Sequence, residues 1–87
     1  MALERISTDL INIDQQYHYP ELEESILKFG ILNPVILRKV GERYDIGIGF
    51  KRCYFAKKLK MTTIPAYVYN LTDSELFELR KHEAESK

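Results

Sequence analysis

The run Tyr44-Asp45-Ile46-Gly47-Ile48-Gly49-Phe50-Lys51-Arg52 constrains this chain most, because it turns a strand directly into a helix. Up to Ile48 the side chains alternate as on a strand, and from Phe50 to Lys60 there is no Gly or Pro. Cys53, Ala56 and Leu59 then share one helical face. A helix begins with N–H groups that have no partner within it, and its dipole is positive at that end. Such a joint suits an anion. Gly47 and Gly49 let a phosphate come near the backbone, while Lys51 and Arg52 add full positive charge. Glycines also serve simply to bend a strand into a helix, so the joint takes its meaning from what surrounds it.

The flanking segments are readable by the same rules. Residues 3–6 make a short strand, followed by an irregular polar stretch through Tyr19. Pro20 stands at the first position of a helix, with Glu21, Glu23 and Glu24 favourably placed in its dipole. Leu22, Ile26 and Phe29 repeat at helical spacing and Gly30 ends the helix, giving 20–29 as an amphipathic helix. Pro34 disfavours helical geometry at Asn33, so Ile31–Pro34 is a connector. Val35–Val40, the turn Gly41-Glu42 and Arg43–Ile48 read as a β-hairpin. Ile64–Tyr69 reads as a further strand, with Pro65 tolerable only at its start or at a sheet edge. Thr72-Asp73-Ser74-Glu75 is a capping box that opens a last helix through about Glu85. The expected order is β-α-β-β-α-β-α, a compact α+β fold in a single domain over 1–87.

Charge separates along the chain. Residues 1–37 hold six acidic groups against two basic, residues 38–60 eight basic against two acidic, and residues 61–87 three basic against five acidic. The central basic block favours a phosphate-bearing partner, a nucleotide or a nucleic acid. Within it, Lys57, Lys58 and Lys60 are candidates for contacts to a DNA backbone, which needs charge and reach rather than exact geometry. No base-reading motif accompanies them. No apolar run approaches the ~20 residues that span a bilayer, and no signal-peptide pattern opens the chain, so the expected location is cytoplasmic. The lone Cys53 makes no internal disulfide, and no Cys/His spacing for a metal is present.

At this point a family resemblance emerges. Leu22 to Leu37, with Ser25-Ile26, Gly30 and Pro34 at its fixed points, resembles the LxxSIxxxGxxxP-type motif of ParB N-terminal domains. Tyr44 to Lys57 resembles the family's YEIIAGERRWRAAK segment, and Ile64-Pro65-Ala66-Tyr67-Val68 with Leu71-Thr72-Asp73 resembles its IPVxV…LTD run. The motifs stand in the family's order over about residues 3–83. The resemblance implies the ParB/sulfiredoxin superfamily fold and binding of CTP, or another nucleotide, with magnesium. It also implies DNA as a partner in chromosome or plasmid partition, with a homodimer or larger assembly as a further expectation. It places Gly49, Lys51 and Arg52 on the triphosphate, and Gly30, Ile31, Asn33 and Pro34 around the base and sugar. Phe50 stands where the family motif has Glu, and Tyr54 where it has its distal Arg. Both changes remove charge beside the phosphate site and favour binding over catalysis. The family's ENxxR segment falls on Glu83 to Lys87, making Glu83 a candidate carboxylate, although Ala84 lacks the Asn amide. Eighty-seven residues leave no room for the helix-turn-helix domain and dimerisation tail of ParB proteins.

Sulfiredoxin shares the fold, but Phe50 stands where its reactive Cys would be, and Cys53 falls on the core-facing stripe as an inert thiol. Free-serine kinases also resemble the fold, and a ParB-like metal-dependent nuclease is a second enzymatic reading. Glu42, Asp45 and Glu83 are the nearby carboxylates for such chemistry. A degenerate protein-interaction module is the third. His18 and His82 lack a matched carboxylate motif, and the six tyrosines read mainly as packing residues.

Overall fold

The computed structural model describes the backbone of residues 2–85 and the side chains as far as His82. Its elements are β1 (Leu3–Ser7), a short turn of 3-10 helix (Thr8–Leu10), α1 (Pro20–Phe29), β2 (Val35–Val40), β3 (Arg43–Ile48), α2 (Phe50–Lys58), β4 (Thr63–Tyr69) and α3 (Asp73–Glu85). The local signals act as expected. Pro20 opens α1, and Gly30 at φ 77° closes it, its N–H donating to Ile26 O at 2.8 Å. Thr72 N–H donates to Glu75 Oε1 at 2.9 Å, and Glu75 N–H donates to Thr72 Oγ1 at 3.1 Å, completing the capping box of α3.

The strands form one mixed sheet in the order β1-β4-β2-β3. β1 pairs antiparallel with β4, β4 parallel with β2, and β2 antiparallel with β3. Pro65 therefore lies in an inner strand, near its start. The ladder with β2 begins only at Ala66, so the missing N–H removes no bond from it. At the far edge, Ile11 bridges Tyr44, and Asn12 N–H donates to Tyr44 O at 2.8 Å. This partly covers β3.

Alternation along the strands sends Val35 and Leu37 of β2, Ile46 of β3 and Ile64 and Ala66 of β4 into one core with Cys53 and Ala56 of α2. The thiol is fully buried. α1 packs on α2, and α3 lies against β3. Arg38 and Asp45 alternate with the core residues Leu37 and Ile46, and Arg38 bridges Asp45 to Asp73 at the start of α3. Thus α2 and α3 take opposite faces of the sheet. Phe29 departs from its expected place on the buried stripe: it is the terminal residue of α1 and is 60% exposed, with Lys28 Nζ 5.4 Å from its ring centroid.

Candidate functional site

The β3–α2 joint is built around two glycines that the protein needs for its own packing. Ile36 pairs with Ile48 and Leu37 with Ile46, leaving Gly47 as the extra residue of a bulge. A Cβ on Gly47 would lie 2.7 Å from Leu79 Cδ2 and 3.3 Å from Ile36 O. Gly49 caps α2 at φ 109°, and a Cβ there would lie 2.5 Å from Val35 Cγ1. The space beside both Cα atoms is thus occupied by Leu79 and Val35. Gly49 supplies the left-handed turn from which α2 starts.

Arg52 ties this joint to the α1–β2 connector. Its Nη1 donates to Asn33 O and, at 3.1 Å, to Pro34 O, while Nη2 lies 3.3 Å from the position a Gly49 Cβ would take. A cleft of about 130 Å3 opens between α1 and the connector, lined by Ser25, Ile26, Gly30, Ile31, Asn33 and Arg52 among others. Four residues expected around a nucleotide, Gly30, Ile31, Asn33 and Arg52, therefore share one cleft. Pro34 adjoins it through its carbonyl bond to Arg52. Asn33 engages Arg52 by its backbone carbonyl rather than its side-chain amide. Lys51 stands apart, its Nζ 5.0 Å from the Tyr19 ring centroid.

The lysines at and just beyond the end of α2 are not equivalent. Lys57 and Lys60 are exposed and line an open groove of about 280 Å3 with Asp9 and Thr62. Lys58 is an ion-pair partner of Glu23 on α1 at 3.1 Å and lies 5.7 Å from the Phe55 ring centroid. Tyr54 packs edge-on to Tyr17 and Phe55, with centroids 5.8 and 5.0 Å apart. His18 and His82 are exposed. The Glu83 side chain and Lys87 lie outside the described residues.

Asp45, one of the nearby carboxylates, is held in a network. It accepts from Asn12 Nδ2 and from Arg38 Nη2, each at 2.9 Å, and Arg38 Nη1 continues to Asp73 Oδ1 at 2.6 Å. Asn12 Oδ1 also accepts from Arg43 Nε at 2.6 Å. The Asn12 hydrogen bond, followed by that from Arg38, holds the Asp45 carboxyl below its ordinary value, against a smaller opposing effect of burial. Glu42 is exposed in the hairpin turn. Among the described residues, no three His, Cys, Asp or Glu side chains gather as a metal site.

The lowered Asp45 value has a pH consequence. Its contribution to stability is fully present above the ordinary carboxylate pKa of about 4 and is lost as pH falls through the lowered folded value. Urea midpoints taken from pH 7 down to pH 2 should therefore show Asp45→Asn less stable than the parent at neutrality. The two curves should converge in acid, and parallel curves would exclude this linkage.

The topology and the superposition on solved structures define the fold: an α+β domain with the ParB/sulfiredoxin-like architecture. The truncated ParB of Caulobacter crescentus in complex with CTP-gamma-S superposes with a TM-score of 0.82 at 20% identity, covering 100% of this chain and 54% of that one. Arabidopsis thaliana sulfiredoxin gives 0.69 at 21% identity, covering 91% and 97%. At these identities the likeness concerns the fold. The model of the ParB N-terminal domain matches residues 3–84, and the chain belongs to that family. Stage 0 sporulation protein J of Bacillus subtilis is 42% identical over 59 residues, 68% of this chain and 21% of its own length. A probable plasmid-partitioning protein ParB of Thermus thermophilus is 33% identical over 76 residues, 82% of this chain and 26% of its own. The chain spans about a fifth to a quarter of the length of these relatives. No helix among the described residues is long and apolar enough to cross a membrane.

Proposed function

We propose that this chain is the nucleotide-responsive module of a DNA partition protein, binding a nucleoside triphosphate, with CTP as the leading ligand, at the β3–α2 joint. The observation that carries the reading is the single cleft joining Gly30, Ile31 and Asn33 to Arg52, beside the N-terminal turn of α2. With a volume of about 130 Å3, the cleft suits one ring of a ligand rather than a whole nucleotide. The base or sugar enters it, bordered by Gly30, Ile31, Asn33 and Pro34. The phosphates lie along Gly47–Arg52, met by the α2 amides, Lys51 and Arg52. The Caulobacter relative, solved in complex with a CTP analogue, supports the ligand class.

Magnesium accompanies a triphosphate readily through phosphate oxygens and water, and that mode asks for no cage of protein carboxylates. The described residues fit this mode and not a cage, since Asp45 is already bound by Arg38 and Asn12. When bound, the metal would neutralise phosphate charge, while the chain's own residues orient the nucleotide. DNA is the second partner, and a relative has been solved on its centromeric parS site. All three lysines are exposed, and Lys57 and Lys60 would meet its backbone, whereas Lys58 already has Glu23.

Calorimetric titration with CTP, ATP and ADP, with and without magnesium, tests the assignment. Saturable one-site binding with CTP ahead of ATP is expected, and Lys51→Ala should weaken it roughly tenfold by removing one charge from the phosphates. Absence of binding by every nucleotide would overturn it.

A further inference from the structure

α3 brings a third cation to the joint, one to which the sequence pattern assigns no role. Arg80 Nε donates to Ile46 O at 2.9 Å, and its guanidinium lies 5.2 Å from the ring centroid of Phe50, the first residue of α2. The side chain thus spans the Ile46–Phe50 turn from one end to the other. Its neighbour Leu79 sits against Gly47, an approach possible only because that residue lacks a Cβ. Two consecutive residues of α3 therefore hold Arg80 against the joint.

Among the described residues, Arg80 makes no ion pair, and its Nη1 and Nη2 have no hydrogen-bond partner. Asp45, which feels the charge of Arg80, spends its oxygens on Asn12 and Arg38. An arginine that is fixed through Nε and stacked on an aromatic ring, with its fork unpaired, is ordered for an anion before any ligand arrives. Phe50 is its platform. Phe50 stands where the family motif has Glu, and a carboxylate there would have neutralised Arg80 rather than presented it.

We propose that Arg80 is a phosphate-binding residue of this chain, supplied from α3 across the Phe50 ring. This rests on the triphosphate reading of the joint, and it assigns that site a cation beyond Lys51 and Arg52. The positive charge missing at Tyr54 is thereby made up from a different element.

The test is titration of the whole chain with inorganic tripolyphosphate and with CTP, comparing the parent with Arg80→Met, Arg80→Lys and Arg80→Gln. Methionine keeps an apolar stem on the ring, lysine keeps the charge, and glutamine keeps a donor for Ile46 O without charge. Arg80→Met and Arg80→Gln should each weaken tripolyphosphate roughly tenfold and lower the salt dependence of binding, while Arg80→Lys should recover most of the affinity. If the parent binds and both neutral variants bind equally well, Arg80 is only a staple between α3 and β3, and the proposal is wrong. It is equally wrong if Arg80→Lys is as weak as Arg80→Met. If Arg80→Met does not fold, the Arg80→Gln comparison decides. If the parent takes up neither tripolyphosphate nor CTP, the triphosphate reading itself fails and this assignment falls with it.

Discussion

Gly49→Ala should lose about 2–5 kcal/mol of stability, a large share of what a domain of this size possesses. Two costs combine. At φ 109° an L-residue is strained by at least about 1–2 kcal/mol. The new methyl would also lie 2.5 Å from Val35 Cγ1 and 2.9 Å from Val35 Cβ, a fully buried side chain in the inner strand β2, adding about 1–3 kcal/mol of overpacking. Gly47→Ala is the matched comparison. Its methyl would meet Leu79 Cδ2, the end of a flexible side chain, without a positive φ, so about 1–2 kcal/mol is expected. Urea unfolding of both variants gives the answer. Equal losses would mean that the left-handed backbone of Gly49 contributes nothing special.

The second large effect is expected in binding. At the proposed triphosphate site, Arg52→Ala would remove a cation and also unfasten Asn33 and Pro34 from the joint, so CTP affinity should fall about a hundredfold or more. Arg52→Lys separates the two roles. It restores a charge but not the planar guanidinium whose Nη1 serves both carbonyls, so part of the affinity should return while the connector stays loose. Hydrogen exchange at Ile31–Val35 reports the connector directly. Unchanged exchange in Arg52→Ala would refute the fastening, and unchanged CTP binding would refute the phosphate contact.

The legible parts of this molecule are those written in local chemistry. Pro20, Gly30, Gly41 and the Thr72–Glu75 box each mark an element boundary through a neighbour within a few residues, and the structure places the boundaries there. The connector and the joint are likewise visible as separate motifs. What local pattern does not carry is the partner across the fold. Arg52 reaches back 19 residues to Asn33, Lys58 reaches 35 to Glu23, and Arg80 reaches 34 to Ile46. In sequence Asp45 reads as available for acid–base chemistry because its partner Asn12 lies 33 residues away, although the hairpin register already sets Arg38 opposite it. Gly47 illustrates the same limit. Its glycine signal is plain, but that Leu79 occupies the vacant space follows only once α3 has docked.

The position of β4 bears on how the chain must come together during synthesis. β1 completes its ladder with β4, and the Arg5–Thr63 contact closes a separation of 58 residues, while β2 waits for the same strand on its other edge. A nascent chain on the ribosome can form the β2–β3 hairpin and α2, but the sheet gains its middle only when Thr63–Tyr69 has emerged. Such non-local pairing requires the cost of loop closure before it returns any stabilisation, so the segment should fold late and as one unit. The cleft between α1 and the connector would then mature only after translation has passed the last strand.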